Sequence, residues 1–488
     1  MKYKVPFMLI ALALLLLQSL PVWGAGEWHN PNPEDPASPL QPAAPQSMNI
    51  YLPFSVKNKY FPTPSTFGLE TWSYHPNTNG TNLFNQGAYH WIRRNGLIWS
   101  DVEASQGAYN WGASSVASLE KDMLNAVAMA KTIILIVRST PSWAQQVPGK
   151  ACGPIQQEDI DNFADFMAAV VQRYSYPPYN VRYFEIGNEQ DAPTAGFSGS
   201  EIFGCWGDPN DPYYGGGYYA QVLKQVYPKM KTANPDAQVL VGGLLMDCDP
   251  VNPPAGKNCT MSKYLEGILA NGGRDYFDAV SFHSYDYYEG DIGKYSNANW
   301  HSAWNTTGPT VTAKVSYLRN LLSQYAASGK PLFLTEVALL CQKSESECAS
   351  GRFQRTKAHF VAQAYAVAIE QGVQAAIWYH QYNMWNNTGF MDVDDDPIFE
   401  AFYAGKFASK QVGAVRSALN RSDASFFIYD LDSVNGRLWL VWSRDGRTRD
   451  LALNPKPAAA YDVFGNPIQV STRMEIGVAP IYIRWEVP

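Results

Sequence analysis

Two segments of the sequence place a carboxylate directly after residues typical of a buried β-strand. The first is YFEIGNEQD (183–191), in which Asn188 and Glu189 follow a run of apolar and aromatic residues, and the second is FLTE (333–336), which ends on Glu336. A carboxylate is costly to bury, so its place at the tip of a core strand needs a reason. Two carboxyl groups held together can share a reaction, because one donates a proton to a leaving group while the other attacks as a nucleophile.

Short apolar segments alternate with longer amphipathic ones between about residues 66 and 410. The apolar segments lie at 66–72, 91–97, 132–139, 181–189, 237–245, 279–286, 331–338 and 375–382. Most of the connections carry a helical pattern; in one of them Ile160, Phe163, Met167 and Val170 fall on a single face. Strands that alternate with helices in this number predict an α/β fold of the (β/α)8 TIM barrel type. A doubly wound sheet is the alternative, but the sequence lacks the glycine-rich phosphate turn expected after an early strand.

The ends of other predicted strands are also polar or aromatic. Arg93 and Arg94 lie on the second strand, His283 and Tyr285 end the sixth, and Trp378 lies on the eighth. A single Glu at a strand end is more often a helix cap or a surface charge. Barrel active sites, however, lie at the C-terminal ends of the strands. The two carboxylates on strands four and seven are therefore predicted to face each other across the barrel mouth, an arrangement that can cleave a glycosidic bond.

These motifs resemble the retaining glycoside hydrolases of clan A. FEIGNE (184–189) and the later FLTE are similar to the strands that carry the acid/base and the nucleophile in that clan. IRRNGLIWSDVEASQGAYNW (92–111) resembles the clan's second strand and following loop, and STPSWA (139–144) resembles the end of the third strand in family 39 enzymes. Gly187 stands where family 39 members usually have Trp, which leaves family 5-like enzymes open as an alternative within the clan.

The resemblance implies a role for each matching residue. Glu189 would be the general acid/base and Glu336 the nucleophile, while Asn188 would hydrogen-bond the 2-hydroxyl of the sugar. Tyr285 would donate to the nucleophile, and Arg93 would lie beneath it and keep it ionised. A like-charged neighbour and partial burial are expected to raise the pKa of Glu189. The carboxyl groups should then lie about 5 to 5.5 Å apart, the spacing of retaining enzymes.

Among the other polar and aromatic residues near the predicted strand ends, three have two interpretations. Trp378 would form the floor of the sugar site by stacking, or belong to the barrel core, and Trp143 would line a neighbouring subsite or pack in a loop. His283 is expected to hydrogen-bond within the site. Arg94 is expected on the barrel exterior, and Glu70 either touches substrate or pairs with a basic neighbour.

The sequence predicts neither a metal site nor a cofactor. No second His stands at ligand spacing from His283, and a metal-dependent barrel hydrolase would want a His-x-His pair on the first strand, where TFGLETW has none. The acidic run DVDDDP (392–397) could bind calcium, but an acidic loop that caps the next helix is the preferred interpretation.

The N-terminus has the features of a secretory signal at residues 1–26. Lys2 and Lys4 precede the apolar run FMLIALALLLL (7–17), and small residues follow at 24–26. An uncleaved membrane anchor is the alternative, but it would need about 18 or more apolar residues. We therefore expect a secreted protein, held near the cell surface if the following segment acts as a tether.

The remaining chain divides by composition into three parts. Residues 27–48 are rich in proline and predict an extended linker. Residues 49–414 form the predicted catalytic barrel. Residues 415–488 contain short β-like runs with turn signals such as Asn435-Gly436, which predict a small antiparallel β-sandwich domain without chemistry of its own.

The cysteine content fits an oxidising compartment. The preferred pairs are Cys248 with Cys259 and Cys341 with Cys348, which are close in sequence, and the remaining Cys152 with Cys205. The six cysteines allow 15 connectivities, so other pairings remain open. A zinc site is disfavoured because no Cys-x-x-Cys spacing occurs.

The composition and net charge limit the classes of molecule that the protein is expected to bind. A net charge of −7 without a basic cluster excludes nucleic acid and anionic membranes as expected partners, and the 30 Tyr and 15 Trp suit stacking on sugar rings. We therefore expect a secreted retaining β-glycoside hydrolase that acts on poly- or oligosaccharides. A non-catalytic carbohydrate-binding protein on the same barrel is the alternative.

Overall fold

The structure is a computed structural model that describes residues 65–71, 85–194, 203–290, 300–304, 306–383, 385–392, 399–412, 415–433 and 436–485. The predicted signal segment, the predicted linker and most of the acidic run at 392–397 lie outside these residues. Within the described part of the chain, no helix is both long and apolar enough to cross a membrane.

Parallel strands form a closed barrel, as the sequence predicts. They are β1 (Phe67–Glu70), β2 (Trp91–Ile98), β3 (Thr132–Arg138), β4 (Tyr183–Asn188), β5 (Gln238–Leu244), β6 (Ala279–Tyr288), β8 (Leu332–Leu340) and β9 (Ala375–Trp378). β1 pairs with both β2 and β9, and β5 pairs with β6, which closes the sheet. A short strand, β7 (Trp300–Ser302), adds to β6 in the antiparallel direction.

Helices surround the barrel and bury its outer face. They are α1 (Trp99–Val102), α2 (Ser114–Ala128), α3 (Ile160–Tyr174), α4 (Gly216–Ala233), α5 (Tyr264–Ala270), α6 (Val311–Gln324), α7 (Glu345–Cys348), α8 (Gly351–Glu370) and α9 (Phe399–Val412). Short 3₁₀ turns lie at Ser142–Ala144, Gln157–Asp159 and Thr260–Lys263. In α3 the predicted apolar face is buried, because Ile160, Phe163, Met167 and Val170 all pack inward.

The barrel interior is filled by alternate residues of the strands. Its apolar layer, near the N-terminal ends of the strands, consists of Trp91, Tyr183, Ile134, Leu240, Ala279, Phe333, Ala375 and Ile377. Because strand side chains alternate between faces, residues two positions further along each strand lie in the next layer up. That layer is charged rather than apolar, and it supports the candidate site.

The C-terminal region forms the predicted antiparallel β-sandwich. Its strands are β10 (Val415–Asn420), β11 (Phe426–Ser433), β12 (Gly436–Ser443), β13 (Arg449–Ala452), β14 (Ala459–Tyr461), β15 (Pro467–Ile468), β16 (Arg473–Ile476) and β17 (Ile481–Arg484). One sheet has six strands, and β13 pairs with β16 in a second. The sandwich packs on α9, where the Phe407 ring lies 5.3 Å from that of Tyr482, and Arg484 donates to Gln411 at 2.7 Å.

All three preferred cysteine pairs are disulfides, namely Cys152–Cys205, Cys248–Cys259 and Cys341–Cys348. The first joins the loop after β3 to the loop after β4, and the second closes a loop after β5. The third lies just after β8. Each bridge therefore restrains a loop at the C-terminal end of the barrel, the end at which the candidate site lies.

Candidate active site

A single guanidinium organises the floor of the barrel mouth. Arg93 of β2 is fully buried and lies one step above the apolar layer. It donates from Nε to Glu185 at 2.7 Å, from Nη1 to Glu70 and to Glu336, and from Nη2 to Asn188 at 2.6 Å. A buried carboxylate without a partner would be strongly destabilising. Arg93 therefore allows carboxylates from three strands, β1, β4 and β8, to meet in the interior.

Glu336 reaches the interior because of a bulge in β8. His283 of β6 pairs with Glu336, while the preceding Phe282 pairs with Leu334, so Thr335 is an extra residue in β8. Thr335 donates to Glu185 at 3.1 Å, which places its side chain on the interior face as well. Both residues at the bulge thus point into the barrel, and Glu336 is only 4% exposed.

Hydrogen-bond donors hold both oxygens of Glu336. Arg93 Nη1 lies 2.5 Å from Oε1, and the Tyr285 hydroxyl donates to Oε2. Burial and the adjacent Glu336 carboxylate raise the pKa of Tyr285 well above its usual value, so the phenol keeps its proton. These donors stabilise negative charge on Glu336 and fix the plane of its carboxylate, as a nucleophile requires.

Glu189 sits at the end of β4 in a backbone turn that requires unusual dihedrals. Gly187 has a φ of 79° and Glu189 has a φ of 56°, and the Glu189 amide donates to the Gly243 carbonyl at 2.9 Å. A Cβ on Gly187 would lie 1.1 Å from the side chain of Gln190, so only glycine fits. This turn explains why Gly stands at a position where the resemblance leads one to expect Trp.

The surroundings of Glu189 favour its protonated form. Its side chain is 15% exposed, and burial raises its pKa to about 7, although Arg93 and Lys314 act in the opposite direction. The predicted direction is confirmed, but the like-charged neighbour that contributes is Glu185. The two carboxyl groups are therefore in different environments, because donors stabilise the charge of Glu336 while burial opposes charge on Glu189.

His283 lies between the two carboxylates. Its Nδ1 is 2.8 Å from Oε1 of Glu189 and 3.4 Å from Oε2 of Glu336. Burial lowers the pKa of His283 to about 4, so the ring is neutral at pH 7. Nε2 has no hydrogen-bond partner among the described residues, and it packs against Gly243, where an added Cβ would lie 2.1 Å away. The proton therefore belongs on Nδ1, which donates towards the carboxylates.

One oxygen of Glu189 and one of Glu336 lie within 4.8 Å of each other. Together with His283 they form a group of potential metal ligands, and no other such group occurs in the described parts of the chain. The positive charge of Arg93 disfavours a cation at Glu336, because Arg93 already pairs with that carboxylate and would repel the ion. The three side chains hydrogen-bond to one another and to Arg93 and Tyr285, so their arrangement does not require an ion.

Asn188 also belongs to the site. Its Oδ1 accepts from Arg93, so its amide NH2 is the part that can donate to a ligand. Glu70, for which the sequence left two readings, pairs with Arg93. Arg94 lies on the exterior as expected and pairs with Asp122 of α2 at 2.8 Å.

Two predicted aromatic residues do not join the carboxylates. Trp378 is fully buried on the outer face of β9, where it stacks on Phe390 with ring centroids 4.8 Å apart. Its neighbour Ile377 occupies the interior, so alternation directs Trp378 outward. The core interpretation of Trp378 is therefore correct, and its assignment to the sugar floor is wrong. Trp143 is partly buried, and it donates to the Glu103 carbonyl at 2.9 Å in a loop beside the mouth.

Some site residues escaped the sequence analysis. Glu185 is fully buried beside Arg93, and its spacing of two from Tyr183 would have revealed its direction. The partly buried rings of Tyr379 and Trp385 lie 6.2 and 5.4 Å from that of Tyr285. Trp385 lies in the loop after β9, where no periodicity predicts a direction.

Solved structures with a similar fold include glycoside hydrolases. A family 39 glycoside hydrolase from the gut symbiont Bacteroides cellulosilyticus WH2 is similar with a TM-score of 0.64 and 15% identity, over 87% of this chain and 81% of that one. A family 30 endoxylanase from Clostridium papyrosolvens C71 gives 0.57 and 11%, over 87% and 97%. A monomeric β-xylosidase from Caulobacter crescentus CB15 gives 0.54 and 14%, over 86% and 96%.

No protein-family model matches the chain, and no curated protein matches it in sequence. At the identities of these structures the likeness concerns the fold. The predicted resemblance to the (β/α)8 enzymes of clan A is confirmed at that level, and the structures that carry it include family 39 and family 30 enzymes.

Proposed function

We propose that this protein is a secreted retaining β-glycoside hydrolase that cleaves poly- or oligosaccharides by double displacement. Glu189 acts as the general acid/base and Glu336 as the nucleophile. The observation that carries this proposal is the pair of carboxyl oxygens within 4.8 Å of each other at the C-terminal end of the barrel. Inverting enzymes separate their carboxyl groups by about 6.5 to 9.5 Å to admit a water molecule, so the closer spacing favours retention.

The proposed reaction has two steps. In the first, Glu336 attacks the anomeric carbon while protonated Glu189 gives its proton to the departing oxygen. In the second, Glu189 takes a proton from water, which attacks the anomeric carbon and displaces Glu336. The raised pKa of Glu189 supports this exchange of roles, because the carboxyl group can hold or release a proton near neutral pH.

The remaining site residues bind and orient the sugar in this scheme. The Asn188 amide donates to the 2-hydroxyl, and its orientation is set by Arg93. Trp385 takes the place that the sequence analysis gave to Trp378, because it is partly exposed and its ring lies beside Tyr285. Secretion is part of the proposal, and three disulfides among the described residues support it.

The test is hydrolysis over a panel of β-linked polysaccharides and aryl glycosides, with xylan and aryl xylosides first because structurally similar enzymes include an endoxylanase and a β-xylosidase. Wild type should cleave one class. Glu336→Gln should lose activity on every substrate, and Glu189→Gln on polysaccharides and on aryl glycosides whose leaving groups need a proton. Azide should rescue Glu336→Gly and give a glycosyl azide of inverted configuration. Binding of a glycan without turnover would instead establish the carbohydrate-binding alternative, and polysaccharide hydrolysis that survives loss of either Glu would refute this site.

A metal-dependent hydrolase is a second candidate, because Glu189, His283 and Glu336 could together ligate an ion. The two candidates differ in their response to a chelator. Activity that is unchanged after exhaustive EDTA treatment supports double displacement by the carboxylates alone. Loss of activity that zinc or manganese restores supports the metal-dependent mechanism.

A further inference from the structure

A second arginine points into the barrel mouth, at the end of β3. Ile134 belongs to the interior apolar layer, so alternation also directs Ile136 and Arg138 inward. Arg138 is the last residue of β3 and is partly buried. Its Nε donates to Oδ1 of Asn95 at 2.6 Å, and Asn95 lies two residues after Arg93 on the interior face of β2. Arg138 and Gly187, which precedes Asn188 and Glu189, line the same cavity at the C-terminal end of the barrel.

Arg138 differs from the other arginines of this region in having no counter-ion. Arg93 contacts three carboxylates, and Arg94 pairs with Asp122. Among the described residues, no carboxylate lies within 4 Å of Arg138, and Asn95 is its only hydrogen-bond partner. Its two Nη groups therefore remain available, while the bond from Nε to Asn95 fixes the plane of the guanidinium.

The surroundings of Arg138 leave its charge only partly compensated. Burial lowers the pKa of Arg138 to about 10, and Asp101 and Glu70, which act against this, are too distant to form ion pairs. A bound anion would supply the missing charge. A guanidinium with two free and coplanar donors fits the oxygens of a carboxylate or a sulfate, and such charge-assisted bonds are stronger than bonds to hydroxyls.

We propose that Arg138 binds an acidic substituent of the sugar in the active site, the carboxylate of a uronic acid or a sulfate ester, and so makes acidic glycans the preferred substrates. This proposal rests on the proposed function, since it names the substrate class of the same cleft. Its physical basis is the free and oriented guanidinium of Arg138 on the interior face of β3.

The test uses pairs of glycans that differ only in the acidic group. Uronic acid-containing polysaccharides are compared with the same material after carbodiimide activation and borohydride reduction, and sulfated polysaccharides with their desulfated forms. Wild type, Arg138→Gln and Lys121→Gln are assayed on each pair. Lys121 is an exposed residue of α2, so Lys121→Gln is a control for the loss of one positive charge. Thermal melting of each variant verifies its folding.

Wild type should prefer one acidic glycan over its neutral counterpart in kcat/KM. Arg138→Gln should reduce that ratio by roughly 10- to 100-fold, mainly through KM, whereas Lys121→Gln should preserve it. The pair that responds distinguishes carboxylate from sulfate. The proposal would be overturned if wild type had the same kcat/KM for acidic and neutral glycans. It would also be overturned if Arg138→Gln lost as much activity on neutral glycans as on acidic ones.

A failure of the proposed function would appear differently. If wild type hydrolyses none of the glycans, their affinities are measured by calorimetry for the same proteins. Selective binding of acidic glycans that Arg138→Gln removes would support the role of Arg138 without hydrolase activity. Indifference of binding to the acidic group would overturn it.

Discussion

The Tyr285 hydroxyl donates a hydrogen bond to Oε2 of Glu336, the carboxylate whose other oxygen accepts from Arg93 at 2.5 Å. Tyr285 comes from β6 and Arg93 from β2, so two separate strands fix one carboxylate. The Arg93 side chain also contacts Glu70 and Glu185. Tyr285, by contrast, hydrogen-bonds Glu336 and none of the other carboxylates around Arg93. A substitution of Tyr285 therefore tests the positioning of Glu336 more directly.

We expect Tyr285→Phe to fold normally and to lose activity. Removal of a hydrogen bond to a charged group costs about 1.5 to 3 kcal/mol, which corresponds to roughly 10- to 100-fold in kcat if the bond orients the nucleophile. Steady-state kinetics and thermal melting measure the two effects. Tyr174→Phe is the matched control, because Tyr174 donates to Glu120 at 3.0 Å on the barrel exterior. Equal losses of activity in the two variants would contradict the role of Tyr285.

The activity should depend on the protonation of Glu189. Because burial raises its pKa to about 7, the acid form exists below that pH and disappears above it. The value of kcat/KM should therefore fall as the pH rises through about 7. In Glu189→Gln this basic limb should be absent on aryl glycosides whose good leaving groups need no proton. A profile whose basic limb is the same in both proteins would assign the limb to another group.

The same shift should appear in stability. The folded-state pKa of Glu189 is raised above its unfolded value, so the folded protein loses stability relative to the unfolded chain as the pH rises from about 4.3 to about 7. Glu189→Gln removes this cost and should be more stable than wild type above pH 7, by at most about 4 kcal/mol, and no more stable at pH 4. Denaturant unfolding of both proteins at both pH values measures the difference.

Much of the architecture could be predicted from the pattern of apolar and polar residues in the sequence. Each barrel strand is an apolar run that ends on polar residues, and alternation within a run tells which side chains face the interior. Arg93 and Tyr285 obey this rule. The prediction for Trp378 is wrong because it overlooks this alternation. Ile377 faces the interior, so the next residue, Trp378, faces outward.

Other features depend on local irregularities that a sequence pattern does not state. Strict alternation from Phe333 would place Thr335 and Val337 inside and Glu336 outside. The bulge at Thr335 reverses this and directs Glu336 inward. Trp385 comes from an irregular loop, and its position beside Tyr285 arises from tertiary packing.

The corrected positions of the two tryptophans give a further prediction. Trp385→Ala should raise KM for glycans with little change in melting temperature, because its partly exposed ring lies at the barrel mouth beside Tyr285. Trp378→Phe should lower the melting temperature, because it removes the bond from Nε1 to the Thr388 carbonyl at 3.0 Å and leaves a smaller ring in the core. Its KM should stay close to that of wild type. The opposite assignment of the two effects would return Trp378 to the sugar site.

The turn that presents Glu189 can be tested at Gly187. Gly187 and Gly107 both have positive φ, 79° and 75°, so an alanine at either position adds similar backbone strain. A Cβ at Gly107 meets nothing within 4 Å, whereas one at Gly187 would overlap the side chain of Gln190. Gln190 donates to the Ile186 carbonyl at 3.0 Å, so it has little room to withdraw. Gly187→Ala should therefore displace the turn that carries Glu189.

We expect Gly107→Ala to be destabilised by about 1 kcal/mol and to keep its activity, since its cost is backbone strain alone. Gly187→Ala should be destabilised further and should lose activity at least tenfold, because a shift of about 1 Å in a catalytic group can cost a hundredfold in rate. Urea unfolding and kcat/KM compare the two variants. If Gly187→Ala retained full activity, the position of Glu189 would not depend on this turn, and the acid/base role would require a carboxyl group that tolerates movement of the β4 end.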